Sequence, residues 1–365
     1  MEVADSWAEI GSRIAEARLA AAMSQSRVAA ELGVDRTAVV RLESGARHVG
    51  ALELMRLAQL FGVPMAHFLT RPPASVVSRR TELTQDSDQA TRTRFRLDAA
   101  LEAHGRDARW LVDNAGLPVT ESPSAPRMQK QANDPVALAV EARTAIGMPR
   151  GPLGPLADVA EKFGLYLTVV DIDAEGASLI DDRFGVCVIG GQAAPGRRRW
   201  TAAHELGHHL CQDEYHSDAG VAASRDDREQ HIDRFVGEFL VPTADLEERW
   251  RSRSGAASDR DVLIALAAEF RVSWSAAINR SQGAGFISGQ EARRLKPNPP
   301  VRGDFVALLG TEPQPDLEIG ATGRQWRDAV FRAWGNSLIT GPRAVELLHG
   351  TLGVDELPAR EGSDA

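Results

Sequence analysis

The sequence predicts an α+β multidomain protein: an N-terminal all-α module, a middle region with a small antiparallel sheet and helices, and a mainly helical C-terminal segment. Three observations carry this. The 365 residues exceed what one ordinary core accommodates. Residues 7–69 read as short amphipathic helices broken at Met23-Ser24, Gly33, Gly45 and Gly62. Runs rich in β-branched residues are concentrated between residues 165 and 189, with helical patterns on both sides. The expected divisions are 7–70, a helical connector and linker over 71–135, a domain over 136–288, and a helical region over 297–358.

Composition narrows the class. A 43% hydrophobic and 25% charged chain is neither disordered nor fibrous, so folded domains are expected. A net charge of −9 argues against coating nucleic acid by bulk attraction, so any such contact must be local. No apolar run approaches the length of a bilayer span, and MEVADSWAEI lacks the basic and apolar regions of a signal peptide. With only Cys187 and Cys211, both read as free thiols, a cytoplasmic setting without membrane contact is expected.

In chain order, Ser24 and Gln25 open a helix over 25–32, Gly33 makes a turn, and Asp35 caps a second helix over 36–43. Val28, Ala29, Leu32, Val39 and Leu42 are the positions that hold the two together. After the domain exit RPPASVVSRR, residues 89–114 read as helix, with Phe95, Leu97, Leu101, Trp110 and Leu111 apolar. The Pro- and Ser-rich stretch 118–135 reads as linker. Helical patterns over 136–146 and 153–163 precede strands at 165–171, 177–180 and 184–189, the last two joined by a turn at Asp181-Asp182. Helices dominate residues 200–285 and end before KPNPP, and a last helical centre spans 325–334 and 342–352. The sequence has no internal repeat.

The most chemically specific stretch is His204-Glu205-Leu206-Gly207-His208. Residues four apart share a helix face, so both imidazoles can aim at one ion. Glu205 can then take a proton from a water at that ion, the HExxH arrangement of zinc metallopeptidases. A catalytic zinc needs a third protein ligand. Glu229, about twenty residues on in DREQHIDRFVGEFLVP, is the first candidate, and His231 is its rival. Asp233 lies one turn beyond Glu229 and can hydrogen-bond a ligand histidine. His209 and His216 read as bystanders, with His216 the better placed of the two to assist a transition state.

PGRRRWTAAHELGHHL followed by EQHIDRFVGEFLVP resembles the ImmA/IrrE family of metallopeptidases. The resemblance extends over about residues 136–288 and implies a zincin-like metallopeptidase domain. Zinc would be held by His204, His208 and Glu229, with Glu205 as general base. Ile232, Asp233 and Val236 depart from the family's usual alanine, asparagine and alanine, whereas Phe235, Leu240 and Pro242 match. It further implies cleavage of a repressor protein, a release of transcription and a role in stress response.

Two helices joined across a glycine form a helix-turn-helix, whose second helix enters the major groove. Arg36, Thr37 and Arg41 face outward and are the base-reading candidates; Gln25, Ser44 and Arg47 are candidates for phosphate contact. SQSRVAAELGVDRTAVVRLESGARHV resembles the Xre family of lambda-repressor-like domains over residues 10–69, which implies a buried Arg18–Glu43 ion pair. Such modules bind palindromic operators as dimers, so a homodimer on double-stranded DNA is expected. The expectation is a DNA-binding regulator with a zinc peptidase domain acting on a repressor or on itself. The alternative is a regulator whose peptidase-like domain senses metal, peptide or metabolite without cleavage, and a third reading has the N-terminal module recruit a protein.

Overall fold

The computed structural model describes residues 4–70, 88–119, 134–181, 184–211, 222–253, 255 and 257–360, with backbone alone over 222–228. The N-terminal module contains α1 (Trp7–Ala20), α2 (Gln25–Leu32), α3 (Arg36–Glu43), α4 (Ala51–Phe61) and α5 (Ala66–Leu69). Its helix starts follow from side-chain capping: Ser24 Oγ accepts from the Arg27 N–H at 3.2 Å and Asp35 Oδ1 from the Ala38 N–H at 2.7 Å. Ile14, Val28, Val39, Leu42, Leu57 and Phe61 are buried between the helices, and Leu32, expected in this core, packs at its margin. Arg18 forms the expected ion pair with Glu43, Nε to Oε1 at 2.5 Å, with both side chains buried.

Helix α6 (Gln89–Ala115) does more than connect. Phe95 and Ala99, one turn apart, complete the core of the N-terminal module. Leu97, Leu101, Ala108 and Leu111 join a second core against the sheet. Between the two, Glu102 lies buried with Arg13 of α1 and His67 of α5, its Oε2 3.4 Å from the guanidinium and 3.5 Å from His67 Nδ1. One helix thus contributes to both cores.

Next come α7 (Pro135–Ala145), α8 (Leu156–Glu161), β1 (Leu165–Val170), β2 (Gly176–Ile180) and β3 (Gly185–Gly190). The strand order is β1-β3-β2, with β3 parallel to β1 and antiparallel to β2. The sheet is therefore mixed rather than antiparallel as the sequence suggested. The cause is the run Val186 to Ile189, apolar at every position and buried on both faces, which takes the centre and separates β1 from β2. The hairpin from β2 to β3 closes at Asp181, whose N–H donates to the Phe184 carbonyl; Asp182, expected in that turn, lies outside the described residues.

The period of two along each strand sorts the sheet's side chains into two layers. Leu165, Leu167, Val169, Cys187 and Ile189 face a core with α9 (Pro195–Cys211) and α10 (Ala222–Leu240). Tyr166, Ala177, Leu179, Val186 and Val188 face α6. The chain continues through α11 (Thr243–Arg251), α12 (Asp259–Phe270), α13 (Trp274–Gly283), α14 (Gly289–Leu295) and α15 (Arg302–Leu309), then α16 (Arg324–Gly335) and α17 (Gly341–Leu347). Trp326, Ala329, Val330 and Ala333 of α16 fill the α6 side of the sheet, so the C-terminal region is part of that layer. Among the described residues no helix is long and apolar enough to cross a membrane.

Candidate metal centre and nucleic-acid interface

Helix α9 is set by its apolar face: Ala202, Ala203, Leu206 and Leu210 are buried against the sheet and α10. Ile232, Phe235, Val236 and Phe239 do the same for α10. The two helices approach closely at Gly207, where a Cβ would lie 3.0 Å from both Ile232 Cγ2 and Phe235 Cδ1. That approach carries the polar edges of α9 and α10 to one place.

There the structure brings together His204, His208 and Glu229, whose ligand atoms lie within 4.8 Å of one another, the metal-capable group among the described residues. His204 Nε2 stands 3.1 Å from both His208 Nε2 and Glu229 Oε2, and His208 Nε2 is 3.9 Å from the same carboxylate oxygen. His231 is not in this group, and His216 lies outside the described residues. His209 faces away, its Nε2 2.9 Å from the Phe163 carbonyl, and burial lowers its pKa.

Two imidazoles and a carboxylate are a donor set suited to zinc. Ligands about 2.0–2.1 Å from a tetrahedral ion stand roughly 3.3 Å apart, and the observed separations bracket that value. Asp233 Oδ1 lies 3.4 Å from His204 Nδ1. A proton held at Nδ1 leaves the Nε2 lone pair facing the centre. Burial pushes the His204 pKa down, but the Asp233 hydrogen bond and the charges of Glu205, Glu229 and Asp233 outweigh it and raise the pKa. The same His204 contact holds the Asp233 carboxyl below its usual range.

Glu205 sits one residue along the helix, and its Oε2 accepts a hydrogen bond from Ser178 Oγ at 2.5 Å. Ser178 occupies the β2 position whose side chain faces α9, between Ala177 and Leu179 on the opposite face. Sequence reasoning missed it, because one serine in a short strand is an ordinary residue. Its signal was the polar position alternating with two apolar ones. β3 is the central strand with both ladder edges occupied, and β2, whose Ser178 meets Glu205, is an edge strand among the described residues.

In the N-terminal module, Arg36, Thr37 and Arg41 are exposed on α3, as expected for base contacts. Gln25 is braced at the start of α2: its Nε2 donates to Glu43 Oε2 at 2.9 Å, and its Oε1 accepts from Arg36 at 3.4 Å. Ser44 caps α3 and its Oγ donates to the Arg41 carbonyl. Arg47 pairs with Glu53 at 2.6 Å, an ion pair about a quarter to a third exposed that fixes the loop into α4.

Residues 160–282 match the family model described as an IrrE N-terminal-like domain of M78 peptidases, and residues 14–68 match the helix-turn-helix model. No curated protein matches the chain. The chain joins an Xre-like helix-turn-helix to an ImmA/IrrE-like peptidase domain, the combination read from its motifs.

Proposed function

We propose that the protein is a transcriptional regulator whose peptidase-type domain holds zinc and cleaves a peptide bond, in a repressor or in itself, to switch transcription. The observation that carries this reading is the convergence of His204, His208 and Glu229 on two packed helices, in a chain that also matches a helix-turn-helix. Zinc held by these three residues would polarise a scissile carbonyl and lower the pKa of a water. Glu205 takes a proton from the attacking water as its oxygen bonds the carbonyl carbon. The same carboxyl delivers the proton to the departing amide nitrogen as the C–N bond breaks. Ser178 fixes the Glu205 carboxylate, and Asp233 fixes the tautomer of His204. β2, an edge strand among the described residues, offers backbone donors and acceptors to an extended peptide.

Base reading by Arg36, Thr37 and Arg41, with phosphate contacts from Gln25, Ser44 and Arg47, positions a homodimer of the protein on a palindromic operator in the cytoplasm. A second reading, in which the peptidase-type domain senses metal, peptide or metabolite without cleavage, draws on α6, which shares cores with the DNA-binding module and the sheet. Purified protein with zinc, incubated alone and with Xre-type repressors beside a Glu205→Gln variant, separates the two. Cleavage by the wild type, lost by 10²-fold or more in the variant, supports the peptidase. No cleavage by either form, with or without operator DNA, supports the sensor.

A further inference from the structure

The recognition helix exposes an apolar side chain that its own fold does not use. Val39 and Val40 are adjacent on α3, yet Val39 is 1% exposed in the module's core and Val40 is 41% exposed. Valine is a poorer helix former than alanine, lysine or arginine, because its branched side chain loses rotamer freedom against the preceding turn. An exposed valine therefore costs the helix something and returns no core packing. Its neighbours indicate what it meets. Arg36 lies one turn before it and Thr37 three residues before it, and Arg41 follows it, all exposed. Arg36 is steadied by Gln25, itself held by Glu43, so the flank of the valine is braced from α2.

A single apolar side chain set among arginines suits a surface that is polyanionic overall but offers isolated methyl groups. The DNA major groove is such a surface: guanine presents two acceptors to arginine, and thymine presents its 5-methyl group. On the reading of α3 as the DNA-recognition helix, we infer that Val40 packs on the 5-methyl of a thymine, beside guanines contacted by Arg36 and Arg41. Val40 is then a specificity-determining residue, and each half-site carries a thymine next to guanine.

The test uses the full chain and duplexes it selects from a random-sequence pool, with each thymine replaced in turn by deoxyuridine. Burial of one methyl group corresponds to about a fourfold change in affinity. At one thymine per half-site the replacement weakens wild-type binding by about that factor. Val40→Ala, a change to a better helix former at an exposed position, binds the thymine duplex more weakly and becomes indifferent to uracil there. Its preference for the guanines is retained. A Val40→Ala protein that keeps the uracil penalty overturns the inference, as does one whose free oligomeric state changes, since the valine then belongs to an interface between copies. A wild type that selects no duplex removes the DNA reading itself, an outcome distinct from either.

Discussion

At the scale of single residues, the proposed centre divides into groups that would meet an ion and groups that orient them. His204 and His208 were legible because the spacing of four is a local property of a helix. Glu229 was singled out through its distance from them and the apolar pattern of α10, with His231 as rival; the packing of α9 on α10 brings Glu229, and not His231, into the group with the two histidines. Ser178 was not legible, because its partner Glu205 is 27 residues away and only the sheet brings them together. The two orienting residues have separable consequences. Asp233→Ala should weaken zinc affinity by about 10- to 100-fold with the helices intact, measured by competition with a chromogenic chelator. Ser178→Ala should leave zinc content unchanged and lower kcat about tenfold with little change in KM, because it frees the general base without touching a ligand. A Ser178→Ala protein that cleaves with the wild-type kcat would remove this serine from the proposed machinery.

At the scale of elements, capping and periodicity made α2 and α3 legible to the residue. Ser24 and Asp35 mark their starts by a mechanism confined to one turn. The strands were legible as strands, but their order was not. Which strand lies in the middle depends on burial of both faces of β3 by elements far away in sequence, and alternation within a strand does not report that. The start of α16 is a similar case. The buried Glu161 carboxylate accepts from the backbone N–H groups of Gln325 at 2.7 Å and Trp326 at 2.9 Å. Gly323 makes room for it, since a Cβ there would stand 2.0 Å from Glu161 Cδ. Burial pushes the Glu161 pKa up to about 7, against the pull of those two donors. The native chain then binds more protons than the unfolded one between about pH 4.5 and 7. This contribution to stability is complete below the lower value and is lost as pH rises through the upper, a swing of about 3 kcal/mol. Glu161→Gln should flatten that part of the stability–pH profile, measured by urea unfolding at several pH values; an unchanged profile would contradict the assignment. Gly323→Ala should destabilise the α16 junction by about 1–3 kcal/mol, through overpacking.

At the scale of the whole molecule, α6 and the C-terminal helices tie the parts together. The sequence read α6 as a connector and left the role of the last segment open, because a helix's partners are not written in its own periodicity. In the structure Phe95 serves one core and Leu97, Leu101 and Leu111 another, so the DNA-binding module and the sheet share a helix. Phe95→Ala should cost about 3–5 kcal/mol and lower the melting of the N-terminal module, while zinc content, set by α9 and α10, stays at the wild-type value. Loss of zinc in that variant would show that the two sites are one cooperative unit. The claim on which the rest depends is that His204, His208 and Glu229 form one metal centre in a regulator that also reads DNA. Its most direct test is the zinc content of the purified full chain, wild type beside Glu229→Ala, after dialysis against metal-free buffer. About one zinc per chain is expected in the wild type, with loss of most of it in the variant, whose helical circular dichroism is retained. A wild type without zinc, or a Glu229→Ala protein that keeps it, would contradict the centre described here.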